Sequence, residues 1–139
     1  MAKKILLCAV LMFGIIRQSH ALDGKTIGHL ISIPIVEGTG IYSSVRLIQT
    51  GNANATAAAV TNLSLIGINS AVGAYTLFGK PADYSRWRAI HRVTGFITGA
   101  AGIWLAVSAG VNKEVANIDK GVAAGYAVVA VVPVILFSF

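Results

Sequence analysis

His29 and His91 are the residues of this chain best suited to chemistry, and they occupy equivalent places in an internal repeat. Laying the chain on itself with an offset of 62 residues (91 − 29) brings His29 onto His91, Ile35 onto Ile97, Gly40 onto Gly102, Ile41 onto Ile103 and Val45 onto Val107. Tyr42 then meets Trp104 and Ser32 meets Thr94, so the pattern His-x10-Gly-Ile-aromatic occurs twice. Ionisable side chains inside apolar segments are costly and mark functional positions. Two imidazoles at matching depth are what an axially ligated haem needs: neutral imidazole binds iron well, and two opposed rings give a low-spin electron-transfer centre. A histidine also ligates the magnesium of a chlorophyll-type pigment, and the spacing leaves both metals open. The plainer role for each histidine is an interface residue bonded to a backbone carbonyl or to water.

The elements that carry these histidines follow from composition. With 139 residues, 55% hydrophobic and 12% charged, the chain departs from a soluble domain towards a membrane protein. Lys3 and Lys4 precede an apolar run from Ile5 to Ile16, which is shorter than the roughly 20 residues a helix needs to cross a bilayer. Ser19-His20-Ala21 supplies a small-x-small cleavage pattern, so residues 1–21 read as a signal peptide and 22–139 as the mature domain. Cleavage removes Cys8, the single cysteine, and with it disulfide, iron–sulfur and thiolate chemistry. It also removes Lys3, Lys4 and Arg17, so the basic count falls from 11 to 8 against five acids, a net charge near +3. No basic face of the kind that binds nucleic acid is present.

Four apolar stretches follow, about Thr26 to Ile48, Ala53 to Phe78, Trp87 to Val111 and Gly121 to Phe139. Each has the length of a transmembrane helix. The breaks at 49–52, 79–83 and 112–120 carry turn chemistry. Connections this short make consecutive helices antiparallel neighbours. The expected fold is therefore an all-α membrane protein, an up-down bundle of four transmembrane helices built as a duplicated helical hairpin. A membrane β-barrel is disfavoured, because Ala127 to Val132 does not alternate apolar with polar residues. Pro34 and Pro133 are expected to kink their helices.

With the signal cleaved, the N-terminus lies outside a bacterial inner membrane, and His29 and His91 both fall near the outer ends of their helices. Lys25, Lys80, Arg86, Arg88 and Arg92 then lie outside, against Arg46, Lys113 and Lys120 inside, which runs against the positive-inside rule. Either the signal peptide overrides the rule, or the topology is reversed, or these residues are retained to pair with something anionic. Two haem propionates would suit Lys25, Arg86 and Arg88, since guanidinium pairs with carboxylate bidentately; a lipid headgroup or an acidic partner would suit them equally.

The segment Arg88-x2-His91-Arg92-x2-Gly95 resembles the haem-ligand helix of cytochrome b561-type and related small membrane b-type cytochromes. The resemblance covers roughly one helix and implies His91 as an axial ligand; His29 follows from the internal repeat alone. That family carries two haems on four histidines, whereas the mature chain has His29 and His91 only, so one bis-histidine haem b is the expectation.

Glu37 lies about two helical turns beyond His29. It is expected either to relay a proton coupled to redox or quinone chemistry, or to pair with Arg46 or bond Asn62 or Asn69. Arg46 is long enough to snorkel to the inner surface. No nucleophile elbow, zinc-binding His-Glu-x-x-His or phosphate loop occurs, so no catalytic residue is assigned. The expected function is electron transfer through one haem near the outer face, between a quinol or partner protein and an external acceptor. The rival is a non-catalytic accessory subunit of a larger respiratory or photosynthetic membrane complex, with or without a bound pigment. Its partners would be membrane lipids and other membrane subunits.

Overall fold

A computed structural model describes residues 24–138, apart from the side chains of Lys25, Thr26, Pro133, Val134 and residues 136–138. The expected signal peptide lies outside the described residues. Four α-helices account for nearly all of the described chain: α1 (Gly24–Ile48), α2 (Ala53–Phe78), α3 (Tyr84–Val111) and α4 (Asn117–Ser138). Among the described residues there is no strand. α2 and α3 are long and apolar enough to cross a membrane.

The sequence places α2 correctly to the residue but starts α3 and α4 three and four residues too late. The reason is capping, which uses polar residues that an apolar pattern does not count. Asp83 accepts the Arg86 backbone N–H at 2.9 Å and so opens α3 before its apolar stretch begins. Asn52 does the same for α2, accepting the Ala55 N–H at 3.1 Å. Gly51 just before it adopts φ of 69°, a left-handed conformation that glycine reaches without penalty. α1 continues through Pro34.

Two compact units divide the chain, Met1–Leu30 and Ile31–Phe139. In the first, the described residues form the opening of α1, with Ile27 and Gly28 exposed and His29 and Leu30 half-buried. The second holds the remainder of α1 with α2, α3 and α4. Side-chain pairing there fixes the helix directions. Ser44 and Glu37 of α1 meet Asn62 and Ser70 of α2, so one helix runs up as the other runs down. Asn69 and Leu65 meet Thr94 and Thr98 of α3 in the same antiparallel sense. Gly102 and Gly99 of α3 face Tyr126 and Val131 of α4, and Arg46 and Gly40 of α1 face Asp119 and Tyr126. Within this unit the fourth helix therefore returns to the first.

Small residues make up much of the interior, with Leu47, Ile66, Leu105, Val115 and Tyr126 buried among them. Ala55, Ala58, Ala59, Ala101, Ala109 and Ala123 are buried, while large apolar side chains such as Ile68, Phe96, Ile103 and Val107 are about half exposed. A water-soluble bundle buries its large residues and exposes charged ones. Half-exposed large apolar side chains over a core rich in alanine suit lipid, where helices associate by close backbone approach rather than by expelling water.

Candidate functional site

His91 lies on α3, two turns after the Asp83 cap, and is half-buried. Its ring is seated against α2 at Gly73. A Cβ on Gly73 would come within 2.8 Å of His91 Cε1 and 3.2 Å of Nε2, so only glycine leaves room for the imidazole there. One turn above, the Thr94 hydroxyl lies 2.8 Å from Asn69 Oδ1 and 3.0 Å from the His91 carbonyl, and Thr98 reaches the Leu65 carbonyl at 3.3 Å. The bonds to Asn69 and Leu65 hold α2 and α3 together in the turns that follow His91. His29 occupies the opening of α1 in the Met1–Leu30 unit and is also half-buried.

Two of the residues expected beside haem propionates, Arg86 and Arg88, lie on α3 within two turns of His91. Arg86, Arg88 and Arg92 are all exposed. At about 100° per residue, Arg86 projects roughly 140° around α3 from His91, away from the histidine's face. Its backbone rather than its guanidinium is committed locally, through the bond to Asp83. That bond, with one from the Ser85 hydroxyl, holds the Asp83 carboxyl below the usual carboxylate range. The side chain of Lys25 lies outside the described residues.

Glu37 bonds the Ser70 hydroxyl of α2, rather than the expected Arg46, Asn62 or Asn69. Arg46 is taken up by α4 instead. Its Nε and Nη2 donate to Asp119 Oδ2 at 3.1 and 2.9 Å, and the Tyr42 hydroxyl donates to Oδ1 at 3.0 Å. The Arg46 guanidinium holds the Asp119 carboxyl below its ordinary range against the opposing effect of burial. A third connection runs through the core. Tyr126 Oη donates to Asn62 Oδ1 at 3.0 Å, and Asn62 Nδ2 donates to Ser44 Oγ at 3.1 Å, all three residues being buried.

The Tyr126 ring lies against both glycines of the internal repeat. A Cβ on Gly40 would fall 2.6 Å from its Cε2 and Cζ, and one on Gly102 would fall 3.1 Å from Cε1. The repeated glycine was visible in the sequence, but the tyrosine it accommodates was not. Asp119, Tyr126 and Gly73 are likewise positions that the repeat does not mark, because each acts through a partner on another helix.

Among the described residues there is no group of three or more His, Cys, Asp or Glu side chains suited to a metal ion. Two-histidine ligation of a haem is a different donor set and is not addressed by that observation. The chain was compared with models of known protein families, with characterised proteins and with solved structures. None matches.

Proposed function

We propose that the mature chain is an integral membrane protein of four spans that holds one b-type haem, with His91 as an axial ligand and electron transfer as its role. The observation that carries the proposal is the half-buried His91 imidazole, seated on a helix hollowed for it at Gly73. Imidazole is a suitable haem ligand, and cofactors of bundle proteins are held by inward side chains of facing helices. The second ligand, His29, is assigned by the sequence repeat. The membrane part of the proposal draws on the apolar outer faces of α2 and α3 and the alanine-rich interior.

When bound, the haem would supply reversible one-electron transfer. The chain's own residues position the ligand. Thr94 with Asn69 fixes the α3 segment that carries it, and Gly73 gives the ring the place from which it would turn to bind. With Cε1 and Nε2 both over Gly73, ligation through Nε2 calls for a rotation of the side chain away from α2. We place the protein in a bacterial inner membrane, with residues 1–21 cleaved as a signal and the mature N-terminus outside. Its electron donor would be a quinol or a partner membrane subunit.

A second reading, an accessory subunit of a larger respiratory or photosynthetic complex, is favoured by one specific observation. Among the described residues the connections between helices are only a few residues long, which leaves little to form a soluble substrate site. An absorption spectrum of the purified protein separates the two. A reducible Soret and α band that is lost in His91→Ala and in His29→Ala supports the haem. A chlorophyll-like spectrum lost in the same variants supports a pigment-binding subunit, and a colourless protein overturns both cofactors and leaves the structural subunit. Reporter fusions at Asp83 and Lys113 test the orientation.

A further inference from the structure

The first turns of α3 carry three exposed arginines, Arg86, Arg88 and Arg92, and among the described residues no carboxylate forms an ion pair with them. Their angular positions are informative. Arg88 and Arg92 are four residues apart and share one flank of the helix, about 40° from each other. Arg86 lies about 120° from Arg92 on the other flank. Ala89 falls midway between the two flanks, with Ser85 beside it, and both are exposed and small. The arginines therefore border a shallow, low-walled surface on the side of α3 facing away from His91.

The same angular sector continues along α3 as an apolar stripe. Phe96, Val93, Ile103, Trp104 and Val107 are exposed by 40% to 57%, without a charged residue among them. A phosphate-sized anionic head flanked by guanidiniums, continuous with an apolar track as long as an acyl chain, has the chemistry of one class of ligand.

We propose that α3 bears a binding site for an anionic phospholipid, its phosphate held among Arg86, Arg88 and Arg92 and its acyl chains laid along Phe96 to Val107. Charge complementarity selects the occupant. Asp83 acts electrostatically on Arg86 alone, so a zwitterionic lipid would leave the cluster with a net positive charge, whereas each basic residue near an anionic surface favours association by an amount that accumulates to large factors. Guanidinium pairs with phosphate bidentately and is lightly hydrated, so it is suited to the edge of the apolar layer. Retention of these arginines outside, against the usual inward bias, then follows from lipid binding. The proposal rests on the membrane part of the proposed function and is independent of the haem.

Trp104 lies on the stripe and reports on it. In a Trp87→Phe background, which keeps an aromatic ring 4.6 Å from Tyr75, Trp104 is the remaining tryptophan. Quenching of its fluorescence is measured in mixed micelles with phosphatidylglycerol or phosphatidylcholine brominated on the acyl chains. The expected result is a preference for the anionic lipid of roughly tenfold, weakened by added salt and lost in Arg86→Gln/Arg88→Gln/Arg92→Gln. Lys80→Gln, a charge change off this face, should keep most of the preference. Equal quenching by both lipids, or a preference that survives the triple substitution, overturns the site. Quenching by neither lipid, in a protein that stays soluble without detergent, overturns the membrane reading itself.

Discussion

Substituting Gly40 and Gly102 by alanine separates two positions that the sequence repeat treats as equivalent. Both face Tyr126, which is 1% exposed, but they do not leave it equal room. The new Cβ at position 40 would lie 2.6 Å from two ring atoms and 2.8 Å from Ile66 Cδ1. Carbon atoms settle at about 3.5–4.0 Å, so the ring would have to retreat by about 1 Å. It cannot do so and keep its 3.0 Å bond to Asn62. Overpacking of this kind costs about 1–3 kcal/mol, and a strained or broken hydrogen bond adds about 1 kcal/mol. Replacing a helical glycine by alanine returns about 1 kcal/mol. Gly40→Ala should therefore lose about 2 kcal/mol, roughly thirtyfold in the folding equilibrium. At Gly102 the approach is 3.1 Å to one ring atom, so a shift of a few tenths of an ångström suffices and the propensity gain nearly cancels the cost. The assay is equilibrium unfolding in mixed dodecylmaltoside and SDS micelles, followed by far-UV circular dichroism. A double-mutant cycle completes the test, because Tyr126→Leu removes the clashing ring atoms and should make Gly40→Ala much less costly in that background. Equal effects of the two alanines, or additive effects of Gly40→Ala and Tyr126→Leu, would refute the packing argument.

Two further outcomes follow. Gly73→Ala places a Cβ 2.8 Å from His91 Cε1, so the imidazole must turn away from α2. Nitrogen-15 spectra of labelled histidine should show a shifted His91 ring signal in this variant and an unchanged one in Gly67→Ala, where a Cβ meets open space; an unmoved His91 signal in Gly73→Ala counts against the seating. Asp119 should make folding acid-sensitive. Its carboxyl is held below the ordinary range by Arg46, so the contribution is complete above the unfolded carboxylate's pKa, about 4, and is lost as pH falls through the lower folded value. Acid unfolding curves should flatten in Asp119→Asn, and an unchanged acid limb would show that the ion pair is not coupled to stability.

The helices were legible in the sequence because apolar runs end at strong turn residues such as Gly51-Asn52 and Pro81. Their starts were less so, since Asp83 extends α3 backwards over polar residues through a cap. Partners were harder still. Arg46 and Asp119 are separated by 73 positions, and which of several polar residues meets Glu37 depends on the rotation of α1 against α2, which spacing does not encode. Arg86 is the instructive case. The sequence puts it at the same end of the bundle as His91, and counting turns sets it about 140° around α3 from the histidine. The histidine repeat itself was plain in the sequence; the glycine on which the His91 ring rests could be found only across the helix pair.

Asp119 and Tyr126 both lie on α4, which leaves the ribosome after α1, α2 and α3. Until it arrives, Arg46 and Tyr42 lack the carboxylate they donate to, and Asn62 lacks the hydroxyl it accepts from. Until then α1, α2 and α3 hold open polar groups and a vacant groove between Gly40 and Gly102, which the arrival of α4 fills at once. A chain stalled before Asn117 would leave those groups and that groove uncovered, and a chain extended through α4 would conceal them.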